Sequence, residues 1–423
     1  MFGKNHTVLT MHQMTGFDHL TLGARGLDPR LKQNGPARIY IERSFFAGNT
    51  VYVTKGTDLS SIPWLKDVGL APEEVIEVPH HCLFNGLKVE TEMMQELKSK
   101  VKNGGRIQFF RPTELEAELI MNLGLSWENT LSCDPAIANP FSNKATLRRM
   151  AVDFKMQNVF PPHQIVTADW TQEKLLAAVS HIQSAKRRMG MNDVLLKRTD
   201  LAGGEGFCLW SSKELHAFMD TNRGQELIIE VAVQPHIPLS NQWMIMDGTI
   251  KYVGSSQQLQ HGFVHKGNII AYDDDVLDKN LMQRLAQITK PFAEYANSIG
   301  YNGVLGFDAV YDKPNDRLFL VEANARITAT YYAFALVSRL TFKPWSVAYK
   351  IIEPSLALET FDDVRKALGH YLFTPAREHG AVPYMLSGLR LPDGQRRLGI
   401  MAVANYAKTA EIVLTEAEKR LAA

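Results

Sequence analysis

Two carboxylates and one amide in the last third of the chain have the types and spacing that metal chemistry requires. Asp308, Glu322 and Asn324 lie within or at the ends of two short apolar runs, 306–311 and 318–323. Glu322 and Asn324 are two residues apart, so on an extended strand their side chains point to the same face. If the two runs pair as a hairpin, Asp308 comes close to Glu322. Hard oxygen ligands of this kind suit Mg²⁺; a pair of ordinary acids at strand ends is the alternative.

A lysine near the end of a predicted strand precedes a loop rich in glycine. Lys197 belongs to the run 193–198, and residues 202–207 then read AGGEGF. Glycines allow backbone N–H groups to turn toward a phosphate, and the lysine adds positive charge. The spacing is neither that of a P-loop nor that of a dinucleotide fingerprint. A plain hairpin turn therefore stays open as the alternative to a phosphate loop.

Two further features complete an ordered set. Lys144 opens a predicted helix at 144–153, and the nearly all-apolar strand 226–234 leads into the sequence QPHI at 234–237. Taken singly, a surface lysine and an ordinary strand end are the alternatives. The four features together, in fixed order along the chain, favour a site for phosphate and a metal ion.

The elements that must position these residues alternate between strands and helices. Strands are predicted at 38–42, 50–54 and 106–110, and helices at 90–101 and 112–121. Such alternation is typical of an α/β sheet. Near the C-terminus the pattern predicts two more strands and a closing helix from Thr415, in a small unit that begins near Thr360.

The composition excludes several classes of protein. The chain has 423 residues, of which 45% are hydrophobic, and a formal charge of +1, which indicates a folded protein and not a disordered one. Balanced charge gives no general field for a polyanion, so neither nucleic acid nor a membrane is an expected partner. No stretch is apolar enough to span a membrane, and the first twenty residues are not expected to be a signal peptide. Three cysteines without a CxxC pair predict a cytoplasmic location.

The ordered features resemble the ATP-grasp superfamily over about residues 144–345. The sequence EANAR at 322–326 is similar to the family's E-x-N-x-R, whose arginine, here Arg326, contacts the transferring phosphate or the acyl phosphate. The resemblance implies a mixed α/β and α+β architecture, in which two ATP-grasp subdomains close on ATP. The implied domains are a preceding Rossmann-like domain at 1–143, the ATP-grasp domain at 144–360 with a hinge near 234–237, and a small C-terminal α/β unit at 361–423.

The resemblance also implies the roles of individual residues. Arg326 and Lys197 are the implied catalytic residues, and Asp308, Glu322 and Asn324 the implied ligands of Mg²⁺, with Mn²⁺ as the alternative ion. The implied contacts of ATP are Lys144, Lys197, Gly203, Gly204, Glu205, Gly206, Gln234, Pro235, His236, Ile237, Asn241 and Gln242. The last two stand where the family commonly has a glutamate that holds the ribose.

The activity that the resemblance implies is that of a carboxylate–amine ligase. A small-molecule carboxylate is activated by ATP as an acyl phosphate, and an amine then displaces phosphate to form an amide. The segments 254–259 and 380–400 are similar to ATP-grasp peptide ligases of peptide natural-product pathways, which implies an amino acid or peptide as the acid. A kinase, a thioester-forming ligase and a non-catalytic nucleotide-binding protein stay open, and so does a homodimer.

Some polar and aromatic residues have two interpretations. His261 and His265 follow the predicted strand at 255–260 and lie either toward the substrate or in a polar surface loop. Tyr331 and Tyr332 follow Arg326 at the start of a predicted helix, where they pack in the core or form a wall of the substrate site.

Overall fold

The computed structural model gives three sheets that together carry the predicted site. The described residues are 41–79, 91–200, 206–234, 236–262, 264–271, 277–340, 345–391 and 394–422, with the backbone of Val8–Met11. No helix within these ranges is long and apolar enough to cross a membrane.

The first sheet has four parallel strands in the order β3-β2-β1-β4. Its strands are Val8–Met11 (β1), Thr50–Thr54 (β2), Glu74–Val78 (β3) and Arg106–Phe109 (β4). The accompanying helices are Ile62–Asp67 (α1), Thr91–Lys102 (α2) and Glu114–Leu123 (α3). Thr113 caps α3 in a capping box with Glu116, as the acidic first turn after a threonine predicts. Parallel strands joined through helices are the Rossmann-like arrangement expected for this part of the chain.

The second sheet has four antiparallel strands in the order β5-β8-β6-β7. Its strands are His163–Val166 (β5), Asp193–Arg198 (β6), Phe207–Leu209 (β7) and Leu227–Ala232 (β8). The helices of this region are Pro135–Ser142 (α4), Lys144–Asp153 (α5), Gln172–Met189 (α6) and Leu215–Thr221 (α7). All six residues of β8 are buried, which is why that segment reads as an almost unbroken apolar run.

The third sheet is antiparallel, with eight strands in the order β13-β12-β9-β10-β11-β14-β16-β15. Its strands are Ile237–Met246 (β9), Thr249–His261 (β10), Val264–Ile270 (β11), Gly303–Asp312 (β12), Arg317–Asn324 (β13), Ser346–Ile352 (β14), Gly380–Tyr384 (β15) and Leu398–Ala404 (β16). The remaining helices are Lys279–Ser298 (α8), Ala329–Val337 (α9), Phe361–Leu368 (α10) and Ala407–Ala422 (α11). Since β14 pairs with β16, the sheet runs without a break across the predicted boundary at residue 360.

The strand predicted at 38–42 is wrong in the part that the structure describes. Glu42–Phe46 forms a 3₁₀ helix whose five residues are all buried. Phe45 and Phe46 join the same hydrophobic core as Tyr332 and Val382, so packing against distant elements overrides the local preference for a strand. The closing helix also begins earlier than predicted, at Ala407, because Ala407, Ala410 and Val413 already face the core.

Candidate active site

The hairpin of β12 and β13 brings the three predicted metal ligands together. Asp308 pairs with Glu322 and Gly306 with Asn324, so the predicted hairpin is confirmed. Asn324 Nδ2 donates to Asp308 Oδ2 at 3.0 Å, and Gln258 Nε2 on β10 donates to the other carboxylate oxygen at 2.8 Å. A β-bulge follows Asp308 and shifts the register by one residue. The hairpin therefore gathers two carboxylates and the amide group of Asn324 at one point of the sheet.

The two carboxylates have opposite pKa shifts. Burial, followed by the charge of the neighbouring Glu322, raises the pKa of Asp308 to about 8. Burial alone would raise the pKa of Glu322 as well, but the Lys144 ammonium, 3.0 Å from Glu322 Oε2, lowers it to about 2. Two adjoining acids do not both ionise easily, because their negative charges repel. A divalent cation bound by both carboxylates would stabilise the state in which both are ionised. The residues present thus fit Mg²⁺, whose ligands would be Asp308, Glu322 and Asn324.

Lys144 contacts the cleft residue Glu322 from the first turn of α5. Asn143 caps this helix by accepting hydrogen bonds from the backbone N–H groups of Ala145 and Thr146, and Lys144 N–H donates to the carbonyl of Thr199 at 2.9 Å. These contacts fix the start of α5 beside the end of β6. The lysine side chain is only 3% exposed, so it is not the solvated surface lysine that was its alternative.

A buried ionic cluster surrounds the second predicted lysine. Lys197 on β6 contacts Glu230 on β8, and Arg148 Nη2 donates to the other oxygen of Glu230 at 2.5 Å. Arg148 also donates to the carbonyl of Lys144 at 2.9 Å, one turn earlier on α5. Burial lowers the pKa of Lys197, while Glu230 acts in the opposite direction. The cluster holds two cations from different elements around one buried carboxylate.

Glu230 and Arg148 are not among the residues that the sequence identified. Glu230 lies in the middle of an apolar strand, and Arg148 has the spacing of an ordinary helical residue. The available signal was the charge of Glu230 inside the buried strand Leu227–Ala232, because an isolated charge in a fully buried strand needs a partner. Glu230 lines the cleft beside Lys197 and pairs with it, and Arg148 binds the other oxygen of Glu230.

The predicted hinge connects the second sheet to the third. The short connection between β8 and β9 contains Gln234 and His236, which both line the cleft together with the end of β8. His236 Nδ1 lies 2.6 Å from the carbonyl of Val233, and Ile237 begins β9. Pro235 lies outside the described residues. Val231, Ala232 and Val233 add an apolar surface here, which suits the flat face of a base.

Part of the predicted glycine loop can be located. Gly203, Gly204 and Glu205 lie outside the described residues. Gly206 has φ of 70°, a left-handed conformation that glycine adopts without strain, and its carbonyl accepts from the N–H of Arg198 at 2.9 Å. The ring of Phe207 lies 5.7 Å from Lys144 Nζ and 5.4 Å from Lys197 Nζ. The end of the loop therefore adjoins both lysines.

Asn241 and Gln242 do not lie at the cleft. Both are fully buried within the third sheet. Asn241 Nδ2 donates to Thr289 Oγ1 of α8 at 2.7 Å, and Gln242 Oε1 accepts from Thr328 at 2.9 Å. The expected ribose contact has no geometric support at these two positions, because β9 turns them into the interior of the protein.

Arg326 is placed just beyond the three predicted metal ligands, as its spacing predicts. Its Nη2 donates to Asn324 Oδ1 at 2.8 Å, and its guanidinium lies 5.5 Å from the ring of Phe110. Burial, followed by the charge of Arg111, lowers the pKa of Arg326 to about 10, so the group stays cationic at neutral pH. Beyond it the cleft continues along Gln258, Gln260, His265 and Thr330.

Tyr331 and Tyr332 pack in the hydrophobic core and do not form a wall of the substrate site. Tyr331 and Tyr332 are fully buried on α9, and Tyr331 Oη accepts from Gln108 Nε2 at 3.1 Å. Neither lines the cleft described above, so core packing is the correct interpretation for both.

No family model and no curated protein matches this sequence. Solved structures share its fold over nearly the whole chain. An ADP complex of N5-carboxyaminoimidazole ribonucleotide synthetase is similar with a TM-score of 0.57 at 12% identity, covering 99% of this chain and 96% of that one. Biotin carboxylase from Campylobacter jejuni, solved as a β-γ-ATP complex, gives a TM-score of 0.57 at 13% identity, with coverages of 97% and 91%.

A third similar structure is the biotin carboxylase domain of Hydrogenobacter thermophilus 2-oxoglutarate carboxylase, a dimer with MgADP, ADP and bicarbonate. Its TM-score is 0.55 at 13% identity, and the match covers 98% of this chain and 89% of that one. At these identities the likeness shows the fold alone. The chain has the ATP-grasp fold, as the sequence predicted.

Proposed function

We propose that this chain is an ATP-dependent ligase that activates a carboxylate as an acyl phosphate and joins it to an amine. The observation that carries the proposal is the meeting, in one cleft, of Lys197, the Asp308–Glu322 pair and Arg326. Lys144 also reaches this point, through its ion pair with Glu322. These groups match the charge of a triphosphate and of the anion that attacks it. Structures with ATP or ADP on the same fold support the nucleotide.

In the first step a carboxylate oxygen attacks the γ-phosphate of ATP, and ADP leaves. Two anions must approach one another, so the step needs fixed positive charge where the transferring group carries its own charge. Lys144 and Lys197 are held for this by Glu322 and Glu230, so they require little reorganisation. Mg²⁺ held by Asp308, Glu322 and Asn324 would neutralise phosphate oxygens in the same region.

Arg326 is suited to orient the attacking acid. Its planar fork can bind a carboxylate or a phosphate through two hydrogen bonds, and Asn324 already fixes one of its nitrogens. The reacting atoms must come within about 3–3.5 Å for efficient transfer. We place the acid between Arg326 and the strand β10, where Gln258 lines the cleft.

In the second step an amine attacks the acyl carbon, and phosphate leaves with the electron pair of the broken bond. The acyl phosphate must be kept from water in the meantime, a role that we assign to the glycine loop 202–207. We propose an amino acid or a peptide as the acid, on the resemblance of the flanking segments. A cytoplasmic location, and a homodimer like that of the Hydrogenobacter domain, are parts of the same proposal.

A screen for activated acid tests this function. The protein is incubated with MgATP, the twenty proteinogenic amino acids and hydroxylamine, which traps an acyl phosphate as a hydroxamate. We expect ADP and hydroxamate to form together, and dipeptides when hydroxylamine is omitted, all read by mass spectrometry. A phosphorylated product without a hydroxamate would indicate a kinase, and nucleotide binding without ADP would indicate a non-catalytic protein.

A further inference from the structure

The acceptor side of the cleft contains a hydrogen-bonded row that crosses strands β10, β11 and β14. Asn268 on β11 donates from Nδ2 to Ser256 Oγ at 2.7 Å and accepts from Tyr349 Oη at 2.7 Å. Tyr349 lies 3.2 Å from Thr330 Oγ1 of α9. Asn268, Ser256 and Tyr349 are fully buried. The row therefore forms a fixed platform beneath any molecule that binds above it in the cleft.

His265 is the titratable member of this row that reaches the cleft. Its Nε2 lies 2.5 Å from Asn268 Oδ1, and its ring lies 6.3 Å from that of Tyr349. Because an amide oxygen can only accept, this contact requires the proton on Nε2. The lone pair of the neutral ring is then on Nδ1. One edge of the imidazole is thus held, and no residue in the described part of the chain is hydrogen-bonded to the other.

The surroundings of His265 keep it neutral. Burial, followed by the charges of Arg43 and Arg326, lowers its pKa, although the contact with Asn268 acts in the opposite direction. Arg43 comes from the 3₁₀ helix Glu42–Phe46, and Arg326 from the segment after β13. The positive charges of these two arginines disfavour protonation of His265. Tyr349 and Asn268 facing it from the sheet are uncharged. His265 is itself exposed to solvent where it lines the cleft, so a proton can leave to water.

His265 is also connected to the metal end of the cleft. It pairs across the strands with Gln260, which donates to Gln258, and Gln258 donates to Asp308 at 2.8 Å. Gln258, His265 and Arg326 all line the same cleft. A molecule lying over β10 and β11 would therefore lie between the imidazole and the reaction centre.

We infer that His265 is the general base of the amide-forming step, taking a proton through Nδ1 from the ammonium form of the acceptor amine. This inference rests on the proposed function. The ammonium loses one proton to the imidazole, and the free amine attacks the acyl carbon. The carbon–oxygen bond to phosphate breaks, the second nitrogen proton leaves with the phosphate, and the imidazolium releases its proton to water. The amine site is then the surface over β10 and β11.

The test compares an acceptor that needs a base with one that does not. Hydroxylamine is unprotonated at neutral pH, whereas the amino group of an amino acid is largely protonated there. His265→Gln should leave ADP and hydroxamate formation near the wild-type values with MgATP, the twenty amino acids and hydroxylamine. Dipeptide formation should fall by about 10²-fold or more, since general base catalysis typically contributes that much.

A matched control is His261→Gln. His261 ends β10, is exposed and does not line the cleft, so the variant should keep both products unchanged. In His265→Gln, dipeptide formation should rise about tenfold per pH unit between roughly pH 7 and 9, as solvent deprotonates the amine. The wild-type profile should be flatter over the same range, and equal thermal melting would exclude a folding defect.

Each contrary result has its own meaning. Equal losses of hydroxamate and dipeptide in His265→Gln, or unchanged dipeptide formation, would overturn the assignment of His265 as the general base. The same holds if the wild type forms hydroxamate but no amide with the amino acids or with glycinamide. Absence of hydroxamate from the wild type would contradict the proposed function itself, and the base with it.

Discussion

The two sides of the cleft differ in how their polar groups are satisfied: the proposed nucleotide side surrounds Lys197 and the Asp308–Glu322 pair, and the proposed acceptor side lies over β10 and β11. On the nucleotide side, buried charges pair with buried charges, as in Lys197–Glu230 and Lys144–Glu322. On the acceptor side, uncharged groups such as Asn268 and Tyr349 form hydrogen bonds among themselves, with one histidine at the rim. Buried ion pairs create strong electric fields of fixed direction. Neutral networks instead fix shape and the position of a proton.

Under the proposed function, this difference corresponds to a division of labour between the two half-reactions. The fixed charges would serve phosphoryl transfer, where charge moves between oxygens. The neutral row with His265 would serve aminolysis, where a proton must be removed. Changes on the nucleotide side should therefore stop ADP formation, and changes on the acceptor side should spare it.

The largest effect is expected at Glu322 on the nucleotide side. Glu322→Gln removes one of two carboxylates from the metal set and the partner of Lys144, so ADP formation should fall by about 10²–10³-fold or more. ADP release under saturating MgATP measures it. Glu226→Gln, which alters only an ion pair with the exposed Arg149, is the control. Near-normal turnover in Glu322→Gln would remove this residue from the metal site.

Glu230 should show a large effect on stability. Glu230→Gln leaves Lys197 and Arg148 without their shared carboxylate in a site where Glu230 is 2% exposed. Breaking one partner of a buried ion pair typically costs about 3–5 kcal/mol. Urea denaturation with and without ATP would measure the loss, against less than about 1 kcal/mol for Glu226→Gln. Equal stabilities of the two variants would show that the cluster is not a structural requirement.

Local pattern was sufficient to predict much of the nucleotide side. Strand parity and the predicted pairing of 306–311 with 318–323 placed Asp308 beside Glu322, and the helical run 144–153 placed Lys144 at the start of a helix. Fold class followed from the alternation of strands and helices, which does not depend on long-range contacts. The ribose contact at Asn241 was implied by the family resemblance alone, and the structure buries this side chain against Thr289, which a position along the chain does not reveal.

The acceptor side could not be predicted in this way. Asn268, Tyr349 and Thr330 meet only because β11 pairs with β14, about 80 residues later, and α9 packs above them. No local spacing relates these residues. His265 was recognised as a residue near the substrate strand, but its partner and therefore its tautomer depend on the register of β10 and β11.

Arg326 lies where the two sides meet, so its variant should affect both steps to a smaller extent. Arg326→Lys keeps the charge and loses the fork that contacts Asn324. Turnover should fall by about tenfold to 10²-fold while ATP affinity changes little. Isothermal titration with ATP and a turnover assay separate the two. Arg284→Lys, in an exposed pair with Asp316, is the control. If both properties are unchanged, Arg326 has only a structural role.

The smallest effect is expected at Tyr349. Tyr349→Phe removes the hydroxyl that donates to Asn268 and contacts Thr330, a loss of about 1 kcal/mol for one buried hydrogen bond. Dipeptide formation should fall several-fold as His265 loses support, while hydroxamate formation stays constant. A parallel fall in ADP release would contradict the separation of the two sides.

The most direct test of the acyl phosphate is the fate of oxygen from the acid. The twenty amino acids are labelled with ¹⁸O in their carboxylates and incubated with the wild-type protein and MgATP, and the phosphate is analysed by mass spectrometry. Attack of a carboxylate on the γ-phosphate predicts one ¹⁸O atom in each phosphate released, in step with ADP and dipeptide. Dipeptide formed with unlabelled phosphate would contradict an acyl phosphate, and with it the mechanism proposed for this cleft.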